Sequence, residues 1–237
     1  MMNKILSLPM LLMLVLNTSC NKYKIEGTTS DSGLDGKTLY IKYMASDKNW
    51  HAIDSCEVIH GEFSMNGNAD SIVMGALFME NAAIMPLVVE SGNIKIEIND
   101  RNTKVKGTAL NDRLYDFLDK QKKIEAKLNE LYHKENQMIL NGENPDMARD
   151  MVNREGQELN DEMSKLVIDF ITNNFENPLG VGVFMMAVSN MTYPIETPEI
   201  TQIMDKAPES FKNNFIVKDF MTAARENTRR MQYGGGR

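Results

Sequence analysis

The sequence predicts an α+β protein: an antiparallel β-sandwich followed by an all-helical region with a long antiparallel helix hairpin. Three observations predict it. Up to residue 108, apolar and polar side chains alternate with a period of two between turn residues, as in Ile94, Ile96 and Ile98 against Lys95, Glu97 and Asn99. From residue 109 to 232 the apolar side chains recur at three- and four-residue steps. Two long helical stripes are separated only by a short break at Gly142 and Pro145, so they should fold back on each other as a hairpin.

The strands follow in order. Lys22–Gly27 and Lys37–Ala45 come first. Trp50–Ile59 and Glu62–Met65 are joined by His60-Gly61, where glycine supplies the positive φ of a tight hairpin. Ile72, Met74, Ala76 and Phe78 form a period-two series, although Val73 and Leu77 make its opposite face apolar too. Met85–Glu90 turns through Ser91-Gly92 into Asn93–Ile98. Seven or eight short strands at this spacing read as a sandwich.

A long helix is expected from Asn111, with Leu114, Phe117, Ile124, Leu128 and Leu131 on one face. A second follows over 146–174, with Met147, Met151, Leu159, Met163, Leu166, Phe170 and Ile171 on one side. Asn177-Pro178 is a cap with proline at the first helical position. The segment behind it, Leu179–Val188, is apolar nearly all round and too short to span a bilayer, so it should be a buried helix. Thr197-Pro198 and Ala207-Pro208 open shorter helices, and Val217–Met231 forms the last one. Residues 233–237 read as a flexible glycine tail.

Residues 1–19 are expected to be a signal peptide rather than part of the fold. Lys4 gives a positive start, and Ile5–Leu16 is apolar apart from Ser7 and Pro9, well short of the roughly 20 residues a spanning helix needs. Thr18-Ser19-Cys20 resembles a lipobox, in which a small residue precedes the cysteine that becomes diacylated; Asn17 stands where an apolar residue is usual. The resemblance implies a lipid such as palmitate on Cys20 and a protein tethered to the cell envelope. Asn21 and Lys22 follow without the acidic run of surface-exported lipoproteins, which points to the periplasmic face of the outer membrane.

Composition narrows the partners. Removing residues 1–19 takes Lys4 from the 26 basic residues and leaves the 33 acidic ones, a net charge of −8. That balance argues against nucleic acid and against electrostatic docking on anionic lipid. The chain has two cysteines. With Cys20 lipidated, Cys56 has no intramolecular partner, so the fold cannot rest on a disulfide.

The run Ile53-Asp54-Ser55, then Val58, Gly61-Glu62-Phe63 and Gly67, resembles a Bacteroidota envelope domain known only as domain of unknown function 4369. Glu90-Ser91-Gly92-Asn93-Ile94, Val105-Lys106-Gly107-Thr108 and Asn111-Asp112 are similar to its later blocks. The resemblance covers about residues 22–115. In longer relatives a thioredoxin-like domain of the thiol–disulfide interchange type follows the helical part. This sequence contains no Cys-x-x-Cys, so the redox activity of those relatives does not carry over, and the family implies no catalytic residue on the part that remains.

Residue chemistry offers few sites. Cys56 lies on the Trp50–Ile59 strand, on a face with Ala52, Asp54 and Val58; it is read as a buried thiol, with a thiol reactive toward a partner oxidoreductase as the alternative. His51, His60 and His133 show no metal-ligand spacing, and no G-x-S-x-G, Walker loop or G-x-G-x-x-G occurs. No cofactor is expected. The acids and lysines of the first helix, such as Glu125, Glu130, Lys122 and Lys127, read as a solvated face. The methionines of the second half match the apolar faces of the helices, with an adaptable binding groove as the minor alternative. Asp70-Ser71-Ile72 resembles the O-glycosylation signal of exported Bacteroidota proteins, which would place a glycan on Ser71. The function expected is that of a non-catalytic, lipid-anchored envelope protein that binds a partner protein or ligand. The alternative is an accessory of a periplasmic thioredoxin-like system.

Overall fold

The computed structural model describes residues 21–99 and 103–234. Residues 1–19, expected to be a signal peptide, and Cys20 lie outside the described residues, as do 235–237 of the expected tail, whose first two residues, Tyr233 and Gly234, instead close the last helix. The strands are β1 (Lys22–Thr29), β2 (Thr38–Met44), β3 (Trp50–Glu57), β4 (Glu62–Asn68), β5 (Val73–Met79), β6 (Ala82–Val89), β7 (Gly92–Ile98) and β8 (Thr103–Lys106). The helices are α1 (Ala109–Leu140), α2 (Pro145–Thr172), α3 (Pro178–Ser189), α4 (Pro198–Lys206), α5 (Glu209–Lys212) and α6 (Phe215–Gly234). The class is α+β, as the periodicity predicts.

The strands form two four-stranded sheets in the orders β4-β1-β7-β8 and β3-β2-β5-β6. Tyr23, Ile25, Met65, Ile94 and Ile96 of the first sheet face Leu39, Ile41, Leu77 and Leu87 of the second, all buried. The opposite face of the first sheet is exposed and charged, with Lys24, Glu26, Lys95 and Glu97 in alternation. The second sheet is packed on its inner side and partly covered on its outer side. Ala76 and Phe78 are buried as well as Leu77, because α3 lies on β5 and because Trp50 and Lys42 pack on the Phe78 ring. Gly182 permits that approach: a Cβ there would sit 2.0 Å from the sulfur of Met74. The doubly apolar β5 series thus has its cause in a third layer.

One pair departs from the antiparallel expectation. β1 and β7 run parallel, with Ile25 opposite Ile94 and Gly27 opposite Ile96. The whole of β2–β6 lies between them in the chain, so a parallel register needs no tight turn. His60 at φ 53° and Gly61 at φ 76° make the expected tight turn, closed by the Ile59–Glu62 bridge, but β3 and β4 belong to different sheets, so the turn links the two sheets instead of closing a hairpin, and the Ser91-Gly92 turn between β6 and β7 does the same. Gly61 is also sterically required, since a Cβ would lie 2.8 Å from the carbonyl oxygen of Thr29.

The boundary at 108/109 marks a change of element, not a break in the core. A single apolar cluster runs from Ile25 and Leu87 through Leu114 and Ile171 to Phe184 and Phe211. Beyond it, Ile124, Leu131 and Leu159 form a second cluster with Leu128, Val152, Met163 and Leu166, made of α1 and α2 side chains alone. The long hairpin therefore faces the rest of the molecule only along its near half. The expectation that both stripes would also face the helix at 178–189 holds there and not in the distal half. The α2 seam runs through Ala148, Val152 and Leu159; Met147 and Met151, expected on the apolar face, are exposed beside it.

The hairpin has a direction. Asn111 bonds to Val88, Tyr115 donates to the carbonyl of Pro86 at 2.9 Å, and Asp119 reaches Lys104. These contacts step backward along β6 and β8, so α1 runs antiparallel to both. β8 is antiparallel to β7, and β7 is parallel to β1. α1 therefore runs the same way as β1, starting at the end of the sandwich where Asn21 accepts from the backbone N–H of Ala69 at 2.7 Å. The α1–α2 connection lies beyond the opposite end. From Ile124 to Leu140 the hairpin extends about 25 Å at 1.5 Å per residue.

Candidate functional site

An apolar groove lies on the outer face of the second sheet, beside α3. It holds about 500 Å³ and is lined by Met44, Trp50, Met74, Ala76, Ile84 and Pro86 from the strands and by Met185 and Met186 from α3. Local structure explains why these side chains meet. Met44 and Trp50 are paired across β2 and β3, and Ala76 and Pro86 across β5 and β6, so all four point away from the sandwich core. α3 has only twelve residues and covers part of this face. What remains open is the floor between α3 and Trp50.

Trp50 is the aromatic side chain of the lining and is backed by rings outside the groove. The Trp50 ring lies 4.9 Å from that of Phe78 in an edge-on arrangement. The Lys42 ammonium sits 4.9 Å from the Phe78 centroid and 5.1 Å from that of Tyr40. Lys42 also donates to the carbonyl oxygen of Glu80 at 2.8 Å. Trp50 is the only tryptophan of the chain and is 40% exposed. Methionine is flexible and polarisable, so a surface with Met44, Met74, Met185 and Met186 can adapt to apolar ligands of different shape. The sequence contained this signal only in part. The sequence suggests a groove only as the lesser alternative for the helical methionines; Met44, Met74 and Trp50 belong to the strand half, and only the fold brings the two sets together. The depressions along the α1–α2 hairpin have a different character, being lined by Lys127, Glu130, Glu158 and Glu162.

Cys56 is a free, half-buried thiol that borders the core. Burial pushes its pKa from 9.0 to about 11, and the carboxylate of Asp54 adds to the effect. The face assignment from the sequence needs one correction. A register shift between Ile41 and Lys42 leaves Ile53 as an extra residue, so Asp54 pairs with Ile41 but Ala52 with Lys42. Ala52 therefore points to the groove side, while Asp54 and Cys56 point inward. There Asp54 accepts from the Tyr23 hydroxyl at 2.9 Å. Burial and this bond push the Tyr23 pKa up to about 12.

The histidines stay apart. His51 bonds the carboxylate of Asp47 at 2.8 Å on an exposed turn. That contact and the amide N–H of Asn49 push Asp47 down to about 2. His60 occupies the β3–β4 turn and His133 the exposed side of α1. Among the described residues no group of three His, Cys, Asp or Glu side chains converges as a metal site. Ser71 is exposed in the turn before β5, with Ile72 51% exposed beside it.

The later motif blocks have structural work. Glu90 is buried, and its carboxylate accepts from the backbone N–H groups of Leu110 at 2.8 Å and Asn111 at 3.2 Å. It thereby satisfies open donors at the start of α1, where a negative charge is favoured. Asn111, fully buried, accepts from the Val88 N–H and donates to the Val88 carbonyl, both at 2.8 Å. Its amide thus pairs with β6 as a further strand would, and it holds the first turn of α1 onto the sandwich.

No helix among the described residues is long and apolar enough to cross a membrane. No curated protein and no solved structure matches the chain. Residues 23–114 match the family model described as Domain of unknown function (DUF4369). The match ends at Leu114, after the Asn111 contact rather than at the last strand. The matched stretch is the sandwich together with the first turn of α1 bonded to it, the same stretch that carries the motif resemblance.

Proposed function

We propose that the chain is a non-catalytic, lipid-anchored protein of the cell envelope whose groove beside α3 holds an apolar segment of a partner or ligand. The observation that carries this reading is the groove itself: an open methionine- and tryptophan-lined surface of about 500 Å³, within the size range of ligand sites. Its single tryptophan makes the test direct. Anilinonaphthalene sulfonate, an apolar dye that accepts energy from tryptophan, should bind saturably at one site with quenching of Trp50. Met44→Glu and Met186→Glu should weaken that binding at least tenfold while leaving the melting curve in place. Dye binding without energy transfer, or binding indifferent to both substitutions, sinks the groove reading.

Anchoring rests on the apolar leader and on Thr18-Ser19-Cys20. Asn21, one residue on, is held at one end of the sandwich, so a lipid on Cys20 would set that end toward the membrane. Outer-membrane attachment facing the periplasm follows from the residues after Cys20. Metabolic labelling with a clickable fatty acid should mark the protein and fail for Cys20→Ala. A glycan on Ser71 is compatible with the exposed turn that carries it. The alternative, an accessory of a thioredoxin-like system, draws on the family resemblance; the raised pKa of Cys56 weighs against a thiol that exchanges readily.

A further inference from the structure

We infer that the tip of the α1–α2 hairpin is a protein-docking knob whose partner presents an apolar surface flanked by basic side chains. Four large apolar side chains are exposed there: Ile139 at 37%, Leu140 at 85%, Met147 at 70% and Met151 at 44%. They flank the same four-residue connection between the helices. They are not frayed parts of the helix seam. The seam is closed right up to the tip by Met138 and Ala148, which are buried. Met147 and Met151 are four residues apart and share a face of α2, so with the end of α1 they form a cap two turns deep. Nothing in a solvated hairpin calls for such a cap, and leaving it in water forfeits about 25 cal/mol per Å².

The charges around the cap select the partner. Glu143, Asp146 and Asp150 are exposed around it. Arg149 is engaged by Glu135 at 3.4 Å, and the last turn of α1 carries no basic residue. An acid-ringed apolar knob repels an anionic bilayer and brings like charges together in a symmetric contact with a second copy. A surface with a basic rim complements it. The direction of α1 adds a geometric condition. The tip lies at the opposite end from Asn21, about 25 Å beyond Ile124, so a chain held at its N-terminus presents the knob away from the membrane that holds it.

The inference stands apart from the groove and is tested apart from it. The intact chain is titrated against a fluorescent amphipathic peptide of leucine and lysine, and against its leucine–glutamate counterpart. The expected result is binding of the lysine peptide alone, weakened by salt. Leu140→Ser combined with Met147→Ser should reduce the affinity at least tenfold, as should Glu143→Lys combined with Asp150→Lys, with Trp50→Ala leaving it unchanged. No binding, equal binding of the glutamate peptide, or indifference to the tip variants overturns the inference. So does tip-dependent binding to phosphatidylglycerol vesicles, or tip-dependent self-association in sedimentation.

Discussion

Cys56 shows how far a single residue can be read without its surroundings. Its presence on a strand and its lack of a partner are sequence facts; its pKa depends on Asp54, and Asp54 faces inward only because the extra residue at Ile53 shifts the register. No periodicity rule locates such a bulge. With the pKa near 11 rather than 9.0, the thiolate fraction at pH 8 falls about a hundredfold. Alkylation of native Cys56 by iodoacetamide should therefore run roughly a hundredfold slower than in the unfolded chain, where the ordinary thiol pKa returns. A native rate matching the unfolded one would mean an open thiol and would favour the redox-accessory reading. Glu90 and Asn111 teach a related lesson. Both stand in recognisable motif blocks, yet their work is legible only when β6 and the start of α1 are seen together.

At the scale of elements, most of the fold was legible. The helix spans are close to those expected, because caps at Asn144, Asn177 and Thr197, each followed by proline, mark three starts plainly. β8 is not legible as a strand in the sequence, because Thr103–Lys106 has one buried apolar residue, Val105, and so no period. The placement of Met147 and Met151 failed for a subtler reason: both lie one position off a seam whose three- and four-residue steps tolerate either choice. That difference yields a prediction. Leu128→Asp and Leu166→Asp put a carboxylate into the α1–α2 seam and should cost roughly 2–5 kcal/mol, with loss of helicity. Met147→Asp puts the same charge on the exposed tip and should change stability by no more than about 0.5 kcal/mol. Equal melting shifts for the seam and tip variants would place Met147 in the core after all.

The whole molecule combines a body with one continuous core and a projecting hairpin supported by its own seam. The groove belonged to neither half of the sequence taken alone, since strands supply one wall and α3 the other; this is why the binding surface was less legible than the fold. The same architecture sets a gradient of local stability. α1 near Asn111 is held by buried hydrogen bonds to β6 and by the main core. Beyond Ile124 the hairpin is held by the buried side chains of Leu131, Met138, Ala148 and Leu159, a few half-buried neighbours and ion pairs such as Lys134 with Glu155. Exposed ion pairs contribute little, and an isolated helix pair opens more easily than a helix packed on a sheet. Hydrogen exchange should then be faster in 126–140 and 148–160 than in β1, β7 and the first turns of α1. The fast segments should slow when the lysine–leucine peptide occupies the tip, because a ligand that binds only the folded hairpin raises its opening free energy. Uniform protection along α1 from its first turn to its last would show instead that the distal seam is as firmly closed as the core, and that the hairpin is not a separate unit of stability.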